Sequence, residues 1–168
     1  MTGAETSAAT DWERKVSALL PLFGHRNWIV VADAAYPAQS KPGIETLVAD
    51  ADQIHIVRTV LDAIAACKHI LANVYVDREL GFVEENDAPG VTAYRKQLKA
   101  LLEGSSVKQL PHEQIIHKLD QAAQVFQILI IKTKMTIPYT SVFFELDCGY
   151  WNTEAEERLR QAMAKAEN

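Results

Sequence analysis

Trp28-Ile29-Val30-Val31-Ala32-Asp33 is the stretch on which the fold turns. It is a short, unbroken apolar run with no polar alternation, closed by an aspartate. Such a run reads as a strand covered on both faces, as in a parallel sheet. On its N-terminal side, Trp12, Val16, Leu19, Leu20 and Phe23 recur at helical spacing. Thr10-Asp11-Trp12-Glu13 has the form of a capping box at the start of that helix, and Gly24 is placed to stop it. On the C-terminal side, residues 35–43 contain Pro37 and Pro42 and read as a loop.

Further along, Gln53 to Val57 reads as a second strand leading into an apolar helix through Ile64, and His69 to Val76 as a third strand. Asp87-Ala88-Pro89-Gly90 marks a turn before a polar helix from Val91 to Leu102. Ser105 to Leu110 reads as a strand, and Pro111 suits the first position of a helix running to about Phe126. Gln127 to Ile131 and Ser141 to Leu146 are two more strands, joined through Pro138-Tyr139. Thr153-Glu154-Ala155-Glu156 is a second capping pattern, opening a C-terminal helix. Strands alternating with helices predict an α/β fold: a single layered domain with a mainly parallel central sheet flanked by helices. The expected division is a flexible lead-in over residues 1–10, the α/β domain over 11–151, and a helical extension over 152–168.

Composition narrows the partners. The 168 residues carry 17 basic and 22 acidic side chains, a net charge of −5, with no basic cluster. Phosphate backbones need a basic stripe, so no nucleic-acid partner is expected, and a small polar ligand fits better. No apolar run approaches the roughly 20 residues that span a bilayer. Met1 to Thr10 lacks the basic and apolar regions of a signal peptide. Cys67 and Cys148 have no metal-ligand or redox spacing and read as reduced, buried thiols, so the chain reads as cytoplasmic.

Ligands of open α/β sheets bind beyond the carboxyl ends of the strands. Asp33 stands at such an end, with His25 eight residues before it. His112 falls in the first turn of a helix, where the dipole disfavours imidazolium and favours a neutral, proton-accepting ring. Tyr139 follows Pro138 between two strands. Each also has a plainer reading: a turn former for Asp33, a cap for His25, a surface position for His112, a packed loop ring for Tyr139. His55, His69 and His117 read as core-edge or surface residues, and Cys67 with His69 makes no metal set. No phosphate loop, dinucleotide fingerprint or serine elbow is present.

The order of these features carries more than any one of them. Gly24-His25-Arg26-Asn27 followed by Trp28 to Asp33 and then Ala34-Ala35-Tyr36-Pro37 resembles the D-ribose pyranase and L-fucose mutarotase family. There Gly-His precedes a strand that ends in Asp-Ala near a proline. Ile44-Glu45 resembles the next block of that family, and His112-Glu113-Gln114 its histidine-containing helix start. Pro138-Tyr139-Thr140-Ser141-Val142 resembles its Pro-Tyr-Ala-Asn-Ile-like strand, and the likeness spans about Leu19 to Gly149.

The resemblance implies a sugar mutarotase that works by general acid–base catalysis, with no cofactor and no metal. By matching position, His25 would be the proton donor and Asp33 would bind sugar hydroxyls, with Asp33 or His112 as the complementary group. His112, Tyr139 and Ser141 would contact the sugar. The resemblance also implies a homo-oligomeric ring, a pentamer or a decamer, with its site completed across a chain boundary. Val142-Phe143-Phe144 points the same way, since its second face needs cover from a helix or a neighbouring chain. Asn27 stands where the family usually has aspartate, Ser141 where it has asparagine, and Lys134-Met135 where it has Gly-Glu. These departures set a second expectation, a non-catalytic sugar-binding or regulatory protein on the same fold.

Overall fold

Residues 10–166 are described by a computed structural model; apart from Thr10, the lead-in lies outside them. In chain order the elements are α1 (Asp11–Leu19), β1 (Trp28–Ala32), β2 (Ile44–Val48), α2 (Gln53–Ala65), β3 (Ile70–Asp77), a 3-10 turn (Arg78–Phe82), α3 (Val91–Leu101), β4 (Val107–Leu110), α4 (His112–Ala122), β5 (Ile128–Lys132), β6 (Val142–Cys148) and α5 (Thr153–Ala166). The strands form one six-stranded sheet in the order β2-β5-β1-β6-β3-β4. β5 runs parallel to both β1 and β2, and β3 runs parallel to β4. Only β6 is antiparallel, to β1 on one side and β3 on the other.

All five residues of β1 are buried, and their alternation divides them between two cores. Ile29 and Val31 join the core that contains α1, α2 and α3, while Trp28, Val30 and Ala32 pack with α4. β6 repeats the pattern: Val142 and Phe144 enter the first core, and Phe143 enters the second beside Ile115 and Leu119 of α4. Each such burial is worth about 1.5–3 kcal/mol against exposure. Both faces of this strand are therefore covered by the chain's own elements, and no neighbouring chain is needed there. The extension α5 is not the cover either, because none of its side chains is buried.

Several local expectations are corrected. Gln53 to Val57 is the first turns of α2, not a strand; the second strand lies earlier, at Ile44–Val48. The Asp52 side chain accepts from the His55 amide to start α2, and Ile56, Val60 and Ile64 then bury at helical spacing. At α1 the Glu13 carboxylate accepts from the Thr10 amide at 2.7 Å, but the helix ends at Leu19, well before Gly24. Pro111 is the N-cap of α4 rather than its first residue, and α4 stops at Ala122. Asn152, not Thr153, caps α5, accepting from the Ala155 amide at 2.8 Å. Cys67 and Cys148 are free, and both are only partly buried.

Candidate active site

The carboxyl ends of β1 and β3 lie at the same edge of the sheet, because both run antiparallel to β6. Over that edge opens a cleft of about 640 Å³, lined among others by Asp33, Tyr36, Asp77, His112, Met135 and Tyr139. Asp33, His112 and Tyr139 are thus brought together from three distant parts of the chain. Ser141 is nearby but buried, and supports Asp33 from behind: its Oγ lies 3.3 Å from Asp33 Oδ2 and accepts from the Asp33 amide at 3.3 Å. The other Asp33 oxygen accepts from the Ala35 amide at 2.9 Å, closing the turn after β1.

His112 is held at two points. Its backbone amide, a free donor at the start of α4, donates to both carboxylate oxygens of Glu79, each at 3.0 Å. Its ring Nδ1 lies 3.0 Å from Asp77 Oδ1. The Asp77 side chain is 1% exposed and the His112 side chain 30%. A carboxylate only accepts, so Nδ1 carries the hydrogen and Nε2 is left for exchange with a ligand. Among the described residues Asp77 Oδ2, equally buried, has no hydrogen-bond partner.

These contacts set the charge. The hydrogen bond to Asp77 raises the His112 pKa above that of free imidazole, against the opposing effect of burial. Burial raises the Asp77 pKa as well, with the His112 contact working against it. A carboxylate in hydrogen-bond contact thus favours the protonated ring, where the helix terminus disfavours it.

Tyr139 has a φ of 58°, in the left-handed region that non-glycine residues rarely adopt. Its ring meets that of His112 edge-on, with centroids 5.8 Å apart. A buried polar network holds the next residue, Thr140, from beneath the loop. The Tyr94 hydroxyl donates to the Thr140 carbonyl at 2.6 Å, and the Gln53 amide donates to that same carbonyl and to Tyr94 Oη. The Thr133 hydroxyl donates to Gln53 Oε1 at 2.7 Å. Gln53→Leu is expected to cost about 1–3 kcal/mol by stranding these groups, read as a lower urea midpoint.

His25 is elsewhere. It precedes β1, whereas Asp33 follows it, and a strand of this length spans roughly 17 Å. Its Nδ1 lies 2.7 Å from Asp147 Oδ1 at the far end of β6. Asp77 and Glu79 were not anticipated, although Asp77 closes β3 as Asp33 closes β1, the same strand-end signal. Among the described residues no three His, Cys, Asp or Glu side chains converge where a cation would sit, and no helix is long and apolar enough to cross a membrane.

A layered α/β sheet with a histidine–carboxylate cleft over its strand ends defines a small-ligand protein. The chain matches the model of the RbsD / FucU transport protein family over residues 12–148, and it belongs to that family. No curated protein sequence matches it. Among solved structures it is similar to RbsD of Bacillus subtilis complexed with D-ribose: TM-score 0.56 and 16% identity, covering 88% of this chain and 97% of that one. It is also similar to the fucose mutarotase of Streptococcus pneumoniae in complex with L-fucose: TM-score 0.51 and 15% identity, covering 88% and 98%. FucU of Bifidobacterium longum gives 0.53 and 14%, covering 80% and 94%. At these identities the likeness is one of fold. The family match ends at Cys148, so α5 lies beyond it.

Proposed function

We propose that this protein is a monosaccharide mutarotase, interconverting anomers, or pyranose and furanose forms, by cofactor-independent acid–base catalysis. The observation that carries the reading is the Asp77–His112 pair, whose Nδ1 is tied at 3.0 Å, leaving Nε2 for exchange in a cleft that Asp33 also lines. Family membership and the ribose- and fucose-bound relatives support it.

The chemistry asks little of the protein. A proton reaches the ring oxygen as another leaves the anomeric hydroxyl, the ring C–O bond breaks, and the open-chain aldehyde forms. Rotation about the adjacent C–C bond and reclosure return the other anomer or ring size. A well-placed acid–base group typically contributes about 10²–10⁴-fold, enough for a reaction that already proceeds in water. In this reading His112 exchanges one proton through Nε2, Asp33 accepts sugar hydroxyls, and Tyr139 walls the ring. His25 is the second acid–base group. Since it stands at the other end of β1, it comes from a neighbouring copy in a homo-oligomeric ring, a pentamer or a stacked decamer. The unpaired thiols fit a reducing, cytoplasmic setting.

A second reading, a sugar binder without catalysis, is favoured by two features: Ser141 is occupied with Asp33, and Met135 lines the cleft with an apolar side chain. Anomer exchange followed by NMR on a panel of aldoses separates the two. Exchange above the buffer rate is expected for at least one sugar. Shift perturbation without faster exchange would establish the binder, and neither effect on any sugar would overturn both.

A further inference from the structure

We propose that Asp147 is a positioning residue for His25, fixing the ring tautomer that leaves Nε2 as the proton-transferring atom. The proposal rests on the reading of His25 as an acid–base group and adds a residue to it. Asp147 Oδ1 lies 2.7 Å from His25 Nδ1 and also accepts from the Cys148 amide at 2.7 Å. The amide contact fixes the carboxylate before histidine is considered. An ionised carboxylate has no hydrogen to give, so the shared hydrogen sits on Nδ1 and Nε2 keeps its lone pair. The same logic orders the Asp77–His112 pair at the opposite edge of the sheet.

The turn that carries His25 is built to meet Asp147. Arg26 has a φ of 75°, a costly conformation for a residue with a Cβ. The Arg26 amide donates to the Leu146 carbonyl at 2.8 Å, and the Leu146 amide donates to the Asn27 carbonyl at 2.9 Å. The Asn27 side chain accepts from the Gly24 amide at 2.8 Å and donates to the Gln127 carbonyl at 3.1 Å, locking the turn from both sides. The turn is therefore clamped to the end of β6, with His25 delivered beside Asp147. The two side chains are 55% and 43% exposed, and an ion pair so placed adds little to stability. Orientation is what the contact supplies.

The test has a spectroscopic arm and a kinetic arm, on full-length protein. In the wild type, ¹⁵N shifts of the neutral His25 ring are expected to report the Nδ1–H tautomer. Asp147→Ala is expected to release the ring to the Nε2–H form that imidazole prefers in water. Asp147→Asn, which keeps a side-chain oxygen acceptor, is expected to restore Nδ1–H. Asp147→Ala is expected to lower kcat by about 10–100-fold, the range typical for partners that orient a metal-ligating histidine, with KM unchanged. An unchanged tautomer in Asp147→Ala overturns the proposal, as does an unchanged kcat. The two levels separate: wild-type kcat in His25→Ala defeats the reading of His25 itself, whereas an inactive His25→Ala beside a fully active Asp147→Ala defeats Asp147 alone.

Discussion

In the His112→Ala variant, anomer exchange is expected to slow by about 10²–10⁴-fold while the protein stays folded. The side chain is part-exposed at the cleft, so its loss leaves no closed core cavity. The helix start is still capped, because Glu79 binds the backbone amide and not the ring. Saturation-transfer NMR on the sugar that gives the fastest wild-type exchange measures the effect, and exchange at the wild-type rate would remove His112 from the chemistry. Asp77→Asn tests the pair from the other side. Since the hydrogen bond to Asp77 is the largest cause of the raised His112 pKa, that pKa is expected to fall in the variant. The sign for stability follows. A raised histidine pKa contributes stability that is fully present below the ordinary value of 6.5 and fades as pH rises through the higher folded value. Asp77, raised by burial, costs stability when ionised above its ordinary 3.8, a cost that protonated His112 offsets. The Tm deficit of Asp77→Asn is therefore expected to shrink as the wild-type dyad loses its proton.

Mixing two inactive variants is expected to restore activity. His25→Ala subunits keep an intact Asp33–His112–Tyr139 cleft but have no His25 to offer a neighbour. Tyr139→Ala subunits offer His25 but have a damaged cleft. Dissociated and reassembled in equal amounts, they form heterologous contacts at random, and roughly a quarter pair an intact cleft with an intact His25. Partial recovery on that scale is the expected result. No recovery, once mixed assembly is proven by mass, would place every needed group within one chain. A light-scattering mass equal to the single chain's 18.7 kDa would defeat the ring before mixing is attempted.

What the sequence disclosed depended on whether the deciding contact was local. β1 was legible because five apolar residues in a row leave few options. Asp33 was legible because it closes that strand. Gln53 to Val57 misled because its β-branched residues suit a strand, while the signs of a helix lay in the Asp52 cap and in Val60 and Ile64 further on. The partner of His112 was not legible because the helix terminus is a neighbour in sequence and Asp77, 35 residues away, is a neighbour only in space. His25 and Asp33 stand close in sequence, but β1 between them holds them apart within one chain. The buried Gln53–Tyr94–Thr133–Thr140 network joins four segments and left no signature in any of them.

β6 acts as a ruler with a mark at each end. Ser141, just before its first residue, supports Asp33 at one edge of the sheet, and Asp147, its penultimate residue, meets His25 at the other. Between the marks Phe143 faces one core while Val142 and Phe144 face the other. Inserting or deleting a single residue here would invert that alternation and shift one mark against the other. Side chains along this strand can therefore change, but its length between the two contacts is not free to drift.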